Sequence, residues 1–116
     1  VPCSGDGNVR KDPSSIRPWL ADDHTARLVP LQEGILASAW RALRPGGCLV
    51  YSTCTLHAEE NEVQCRRLLQ KEPSARILDL GQLLGLPQAA TPEGFLRLWP
   101  HTFDTEGFFV ACFQKA

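Results

Sequence analysis

The 116-residue sequence contains no methionine and no apolar run near the roughly 18 residues that a membrane-spanning helix needs. Its first residues also lack the basic and apolar regions of a secretory signal. Hydrophobic residues make up 43% of the chain and charged residues 22%, a composition typical of one ordinary globular domain. We therefore expect a cytoplasmic protein that makes no contact with a membrane.

An excess of basic residues is also missing, because the net charge is −1. Proteins that hold nucleic acid electrostatically usually carry a clear positive excess, which neutralises several phosphates. If RNA binds here, most of the affinity must come from another part of the molecule. The adjacent Arg10 and Lys11 are the candidates for contact with a nucleic-acid backbone, although paired charges on a loop are more often simply solvated.

No disulfide pattern and no zinc-binding pattern is present among the cysteines. Their number is odd, they form no C-x-x-C pair, and no histidine lies at the spacing of a zinc finger. We expect free thiols in a reducing compartment and no bound metal. The five positions are Cys3, Cys48, Cys54, Cys65 and Cys112.

Residues 1–20 are rich in glycine, proline, serine and charge, and predict a long opening loop. Apolar positions from Leu28 to Leu43 then recur at helical spacing, and Pro30 is acceptable only if it lies in the first turn. The helix should stop at residues 45–47, Pro-Gly-Gly. The following run, Cys48 to Ser52, predicts a short buried parallel strand.

Alternating elements continue to the end of the chain. Residues 58–71 predict a helix with an acidic start and a basic end, the charge order that the helix dipole favours. Residues 75–80 predict a strand, 81–94 a connection, 95–100 a short extended piece, and 107–113 a central strand. This order predicts an α/β sheet that the chain enters partway through.

Cys54 is the strongest nucleophile candidate. It ends a predicted strand and precedes a helix N-terminus, where backbone N–H groups favour the reactive thiolate. The alternative, that Cys54 is a small buried apolar residue, is about as probable from its position alone. Cys3 lies in a turn-forming Pro-Cys-Ser-Gly context that favours reactivity, and the remaining three cysteines are expected to pack within regular elements.

Three blocks of the sequence carry a resemblance to a known family. They are V-P-C-S-G-D-G-N-V-R-K-D-P at 1–13, P-G-G-C-L-V-Y-S-T-C-T-L-H-A-E-E-N-E at 45–62 and R-L-W-P-H-T-F-D-T-E-G-F-F-V-A at 97–111. Taken together and in this order, they resemble the Nop/Sun (RsmB-like) RNA cytosine-5 methyltransferases. The resemblance implies a Rossmann-like class I methyltransferase fold, with S-adenosylmethionine as cofactor and ribosomal or transfer RNA as substrate.

The same resemblance assigns roles to two thiols. It implies that Cys54 adds to C6 of cytosine and that Cys3 assists release of the product, while Pro2 is expected to contact the cofactor. If both thiols serve one base, the sulfurs of Cys3 and Cys54 should lie less than about 10 Å apart.

One position of the family pattern falls outside the sequence. An acidic residue precedes the Pro-Cys proline by two positions in that pattern, and here this position lies before Val1. The upstream glycine-rich cofactor loop is missing too. We therefore expect residues 1–116 to be the C-terminal portion of a single methyltransferase domain, without its N-terminal cofactor-binding half.

Two alternatives remain open at this point. In the first, the roles are exchanged and Cys3 is the nucleophile, as in DNA cytosine-5 methyltransferases; the S-T-C block followed by E-E-N-E argues against it. In the second, the chain is a non-catalytic RNA-binding or scaffold module, and retention of both thiols in their motifs argues against that.

Overall fold

The computed structural model describes residues 1–3, 24–98 and 107–116. In these residues two longer α-helices, one short α-helix and two 3₁₀ turns flank a four-stranded sheet. The elements are α1 His24–Ala42, β1 Cys48–Thr53, a 3₁₀ turn Ala58–Glu60, α2 Glu62–Lys71, β2 Ala75–Ile77, α3 Leu80–Leu83, a 3₁₀ turn Pro87–Ala89, β3 Leu96–Leu98 and β4 Phe108–Lys115. The predicted α/β fold class is confirmed.

Strand β4 lies at the centre of this sheet. It pairs with β1 along one side, and with β2 and β3 along the other. Its prediction as a central strand is therefore confirmed. The pairing is antiparallel throughout, with Tyr51 opposite Ala111 and Ile77 opposite Phe113. The prediction of a buried parallel β1 is wrong on both counts for the described residues. Cys48, Val50 and Ser52 are exposed, and a continuous apolar run carries no information about strand direction.

Side chains alternate across β4 between two hydrophobic clusters, as the two-residue period of a strand requires. Phe109, Ala111 and Phe113 face the larger cluster, which includes Trp40 of α1 and Leu68 of α2. Cys112 faces the smaller cluster with Leu80, Ala89 and Leu96. The sheet is thus covered on one face by the long helices and on the other by the segment around α3.

The turn between α1 and β1 depends on glycine. Gly46 has a φ of +81°, and a side chain at Gly47 would lie 2.7 Å from Leu43 and 2.9 Å from the carbonyl oxygen of Arg44. Lys115 donates to the carbonyls of Trp40 and Leu43 at 3.0 and 2.9 Å, which satisfies the C-terminal end of α1. The prediction that this helix ends before the Pro-Gly-Gly turn at residues 45–47 is therefore confirmed.

Several predicted boundaries change. Helix α1 begins at His24, so Pro30 lies inside it, with its ring on the exposed face, and not in the first turn. The helix predicted over 58–71 is interrupted at Asn61, whose backbone (φ −115°, ψ −97°) separates the 3₁₀ turn from α2. The strand predicted over 75–80 ends at Ile77, because the Asp79 side chain accepts from Gln82 N and caps α3.

Candidate active site with two thiols

Cys54 follows β1 directly, and the residues on both sides of it are held by a single side chain. The hydroxyl of Thr53 donates to Asn61 Oδ1 at 2.5 Å, and Asn61 Nδ2 donates to the carbonyl of Thr55 at 3.0 Å. All three residues are buried. Asn61 therefore fixes the turn that presents the half-buried Cys54, and this role explains why the helix breaks at Asn61.

Cys3, near the start of the sequence, lies next to Cys54 in the structure. The backbone nitrogen of Val1 donates to the carbonyl of Ser52 at 3.3 Å, which holds the opening segment beside the end of β1. The sulfurs of Cys3 and Cys54 are 3.2 Å apart, within hydrogen-bonding distance, and either thiol can donate. The prediction that the two sulfurs lie within about 10 Å of each other is confirmed.

A buried polar network lies beneath the two thiols. The Nε2 of Gln32 donates both to the carbonyl of Pro2 and to Glu60 Oε1, each at 2.8 Å. The other oxygen of Glu60 accepts from the hydroxyl of Thr55 at 3.3 Å. Gln32, Glu60 and Thr55 are fully buried. The network therefore joins the residue before Cys3 to the residue after Cys54.

The sequence pattern did not predict this burial. The acidic residues at 59, 60 and 62 predict the start of a helix, whereas Glu60 points inward and its carbonyl accepts from the buried hydroxyl of Tyr51 at 2.5 Å. The one feature of the sequence that could have indicated a special role for Glu60 is its position in the E-E-N-E block, which carries part of the family resemblance. Burial raises the pKa of Tyr51, and the nearby Cys65, Glu60 and Cys3 reinforce the shift.

A second tie connects the E-E-N-E block with the R-L-W-P-H block. Arg97 forms a double hydrogen bond with Glu62, with contacts of 2.5 to 3.0 Å, and both side chains are almost buried. Arg97 also donates to the carbonyl of Leu56 at 3.3 Å and stacks over Phe109, 5.6 Å from the ring centre. The segment after Cys54 is therefore anchored to β3, which lies on the other side of β4 from β1.

The other thiols lie away from this pair. Cys65 is fully buried and Cys112 nearly so, as predicted, and burial raises the pKa of each. Cys48, at the first position of β1, is exposed, so its interpretation as a packing residue is wrong, although its thiol contacts that of Cys112. Among residues 1–3, 24–98 and 107–116, no group of three or more potential ligands forms a metal site.

Not every predicted residue can be placed. Arg10 and Lys11 lie outside the described residues. Pro2 is exposed next to the thiol pair. None of the helices in the described part of the chain combines the length and apolar character needed to cross a bilayer.

Comparison with solved structures defines the class. The protein named PH0851 superposes with a TM-score of 0.84 and 35% identity over 99% of this chain and 25% of its own. NSun6 from Pyrococcus horikoshii, crystallised with SFG, an analogue of S-adenosylmethionine, superposes with a TM-score of 0.73 and 27% identity over 99% of this chain and 28% of its own. The mixed helices and strands and these structural neighbours assign the chain to part of a Rossmann-like methyltransferase domain.

The family follows from the sequence comparisons. The family described as 16S rRNA methyltransferase RsmB/F matches residues 1–114, and the chain belongs to that family. Ribosomal RNA small subunit methyltransferase F of Aeromonas salmonicida is 50% identical over 99% of this chain. The chain spans about a quarter of the length of that relative (24%).

Proposed function

We propose that this chain is the C-terminal portion of a methyltransferase domain that transfers a methyl group from S-adenosylmethionine to C5 of cytosine in RNA, with Cys54 as the nucleophile. The observation that carries the proposal is the 3.2 Å separation of the Cys3 and Cys54 sulfurs. Two thiols at this distance can serve adjacent atoms of one base. The family membership of residues 1–114 supports the reaction class.

The chemistry requires a nucleophile because C5 of cytosine does not take up a methyl group unaided. The Cys54 thiolate adds to C6, and the electron pair of the C5–C6 double bond becomes available at C5. That pair forms the new bond to the methyl carbon while the bond from this carbon to the donor sulfur breaks, its electrons staying on sulfur. Loss of the C5 proton to a base then restores the double bond and expels the Cys54 thiolate. The covalent Cys54–C6 bond thus forms before methyl transfer and breaks after it.

We propose that Cys3 acts on this intermediate. While Cys54 carries negative charge, the S–H of Cys3 is the donor across the 3.2 Å contact and stabilises that charge. Once Cys54 is bonded to C6, Cys3 lies beside the same ring. We propose that it assists the step that releases the product. The firm placement of both neighbours of Cys54 by Asn61 favours attack from one direction.

Pro2 is the described residue that we propose contacts the cofactor. Its carbonyl is engaged by Gln32, whereas its ring, like the side chain of Val1, is exposed beside the thiols. An exposed apolar ring fits the purine face of S-adenosylmethionine, and the cofactor supplies the methyl group when bound. We expect the remaining cofactor contacts from the glycine-rich loop of the family pattern upstream of Val1. The acidic residue of that pattern, also upstream, is expected to stabilise the protonated base.

The relatives' names favour ribosomal RNA of the small subunit over transfer RNA as the substrate. Because the net charge of this chain is −1, RNA affinity should come mainly from other parts of the protein, with Arg10 and Lys11 as the proposed backbone contacts within this chain. A cytoplasmic location, the compartment of ribosomal RNA in bacteria, is part of the same proposal.

The test separates the two thiols in the whole protein, incubated with small-subunit ribosomal RNA that lacks the modification. Cys54→Ala should abolish the covalent protein–RNA adduct and reduce methyl transfer by several orders of magnitude, as loss of a covalent nucleophile does. Cys3→Ala should still form the adduct but resolve it slowly, so that a slowly migrating protein–RNA band accumulates on a denaturing gel. Cys48→Ala, at an exposed thiol outside the site, is the control and should behave as wild type.

Other outcomes would refute these assignments. An adduct that accumulates in Cys54→Ala and is absent in Cys3→Ala would exchange the two roles. Normal turnover in both variants would favour the non-catalytic RNA-binding or scaffold module. Methylation at an atom other than C5, detected by mass spectrometry of the digested nucleosides, would overturn the proposed reaction while leaving the family assignment intact.

A further inference from the structure

We propose that Glu60 is a positioning residue that holds the Cys3 and Cys54 sulfurs together, and this inference rests on the function proposed above. Its carboxylate is the point where the two thiol-bearing segments meet. Oε1 accepts from Gln32, which also holds the carbonyl of Pro2, and Oε2 accepts from Thr55. One fully buried side chain is therefore linked to the residue before Cys3 and the residue after Cys54.

The orientation of Gln32 is determined by its hydrogen bonds. Its amide nitrogen carries two hydrogens, which are directed to the carbonyl of Pro2 and to Glu60 Oε1. Its amide oxygen accepts from Gln64 Nε2 at 3.3 Å, and Gln64 also donates to the carbonyl of Val29 at 2.8 Å. A flipped Gln32 amide would lose these bonds, so the link between Glu60 and Pro2 has only one arrangement.

The Thr55 side is equally constrained. Its hydroxyl donates to Glu60 and accepts from the backbone nitrogen of His57 at 3.2 Å, and its carbonyl is held by Asn61. Glu60 itself is held in place because its own carbonyl accepts from Tyr51. The carboxylate therefore holds a fixed position between the two segments that carry the thiols.

Substitutions can separate this role from bulk stability. Glu60→Leu removes both acceptors, and Gln32→Leu removes the donor that holds Pro2. Glu60→Gln should retain function, because its amide oxygen can accept from Gln32 while its amide nitrogen donates to Thr55 Oγ1. Glu59→Gln is the matched control, since the neighbouring Glu59 side chain is exposed.

The decisive measurement is the rate at which Cys3 and Cys54 form a disulfide when the whole folded protein is treated with diamide. Diamide takes up two electrons and two protons as the two thiols become one disulfide, and the Cys3–Cys54 linkage is identified by peptide mass spectrometry. The rate reports the effective concentration of one thiol at the other. Wild type, Glu60→Gln and Glu59→Gln should react quickly, and Glu60→Leu and Gln32→Leu at least about tenfold more slowly.

Methyl transfer provides the second readout. Displacement of a reacting group by about 1 Å can cost about 100-fold in rate, so Glu60→Leu should lower kcat strongly with little change in KM for RNA. If Glu60→Leu does not fold, Thr55→Val removes one of the two hydrogen bonds to the carboxylate while keeping the side-chain shape. It should then slow disulfide formation by a smaller factor.

The inference is overturned if Glu60→Leu or Gln32→Leu, shown to be folded by circular dichroism, forms the Cys3–Cys54 disulfide at the wild-type rate. If neither of these variants folds, a wild-type rate of disulfide formation in Thr55→Val overturns it. Failure of the proposed function has a different signature. If Cys54→Ala methylates RNA normally, the nucleophile assignment fails, while slow disulfide formation in Glu60→Leu with rescue in Glu60→Gln still supports the positioning role.

Discussion

Replacing Arg97 by alanine should be among the most destabilising single changes in this part of the protein. The Arg97 and Glu62 side chains are 9% and 12% exposed, and they form a double hydrogen bond. Breaking a buried ion pair by removing one partner typically costs about 3–5 kcal/mol, because the remaining charge is left without compensation. The lost contact with the Phe109 ring and the released carbonyl of Leu56 add to that cost.

Burial, not the number of hydrogen bonds, sets this magnitude, and the chain contains a matched control. Arg66 also forms a double hydrogen bond, with Glu93 at 2.8 and 2.9 Å, but those side chains are 54% and 34% exposed. Arg66→Ala should therefore cost less than about 1 kcal/mol. Arg97→Lys keeps the charge but loses the planar fork, and should fall between the two alanine variants.

The assay is urea unfolding of the whole protein, followed by circular dichroism, for Arg97→Ala, Glu62→Ala and the double variant. Because the two side chains are in direct contact, their effects should be coupled by about 0.5–3 kcal/mol, and the double variant should cost less than the sum. A cost below about 1 kcal/mol for Arg97→Ala, or strictly additive effects, would refute the argument that this pair anchors the segment after Cys54.

Two further predictions concern ionisable groups. The hydrogen bond from Lys71 and the charges of Lys71 and Arg67 hold the pKa of Glu33 below its usual 4.5, so the stability that Glu33 contributes is present above that value and is lost as the pH falls through the lowered pKa. The small difference in thermal unfolding between wild type and Glu33→Gln should therefore vanish in acid. A difference that grows in acid would contradict this prediction. Burial raises the pKa of Cys65 and shields its thiol, whereas Cys48 is exposed. Brief alkylation with iodoacetamide at neutral pH, analysed by peptide mapping, should therefore label Cys48 and leave Cys65 unmodified. Labelling of Cys65 in the folded protein would contradict its burial.

Local signals in the sequence were sufficient for much of the fold. Residues 107–113 are a continuous β-favouring run, and they form most of the central strand Phe108–Lys115. The Pro-Gly-Gly turn was predictable because glycine alone tolerates the backbone at Gly46 and the close approach at Gly47. The proximity of Cys3 and Cys54 was predicted only through the family resemblance, since no spacing rule joins positions 51 residues apart.

Tertiary contacts decided the rest. Strand direction, the buried state of Glu60 and the break at Asn61 all depend on partners far along the chain or across the sheet, which local patterns do not contain. Three glutamates in four residues look alike as charges, yet one is buried beneath the thiols, one is paired with Arg97, and one is exposed. The sequence by itself determined which residue types are available for chemistry, because reactivity belongs to the side chain. Only the folded structure decided which of them meet, because a hydrogen bond or a shared base requires a distance of a few ångströms.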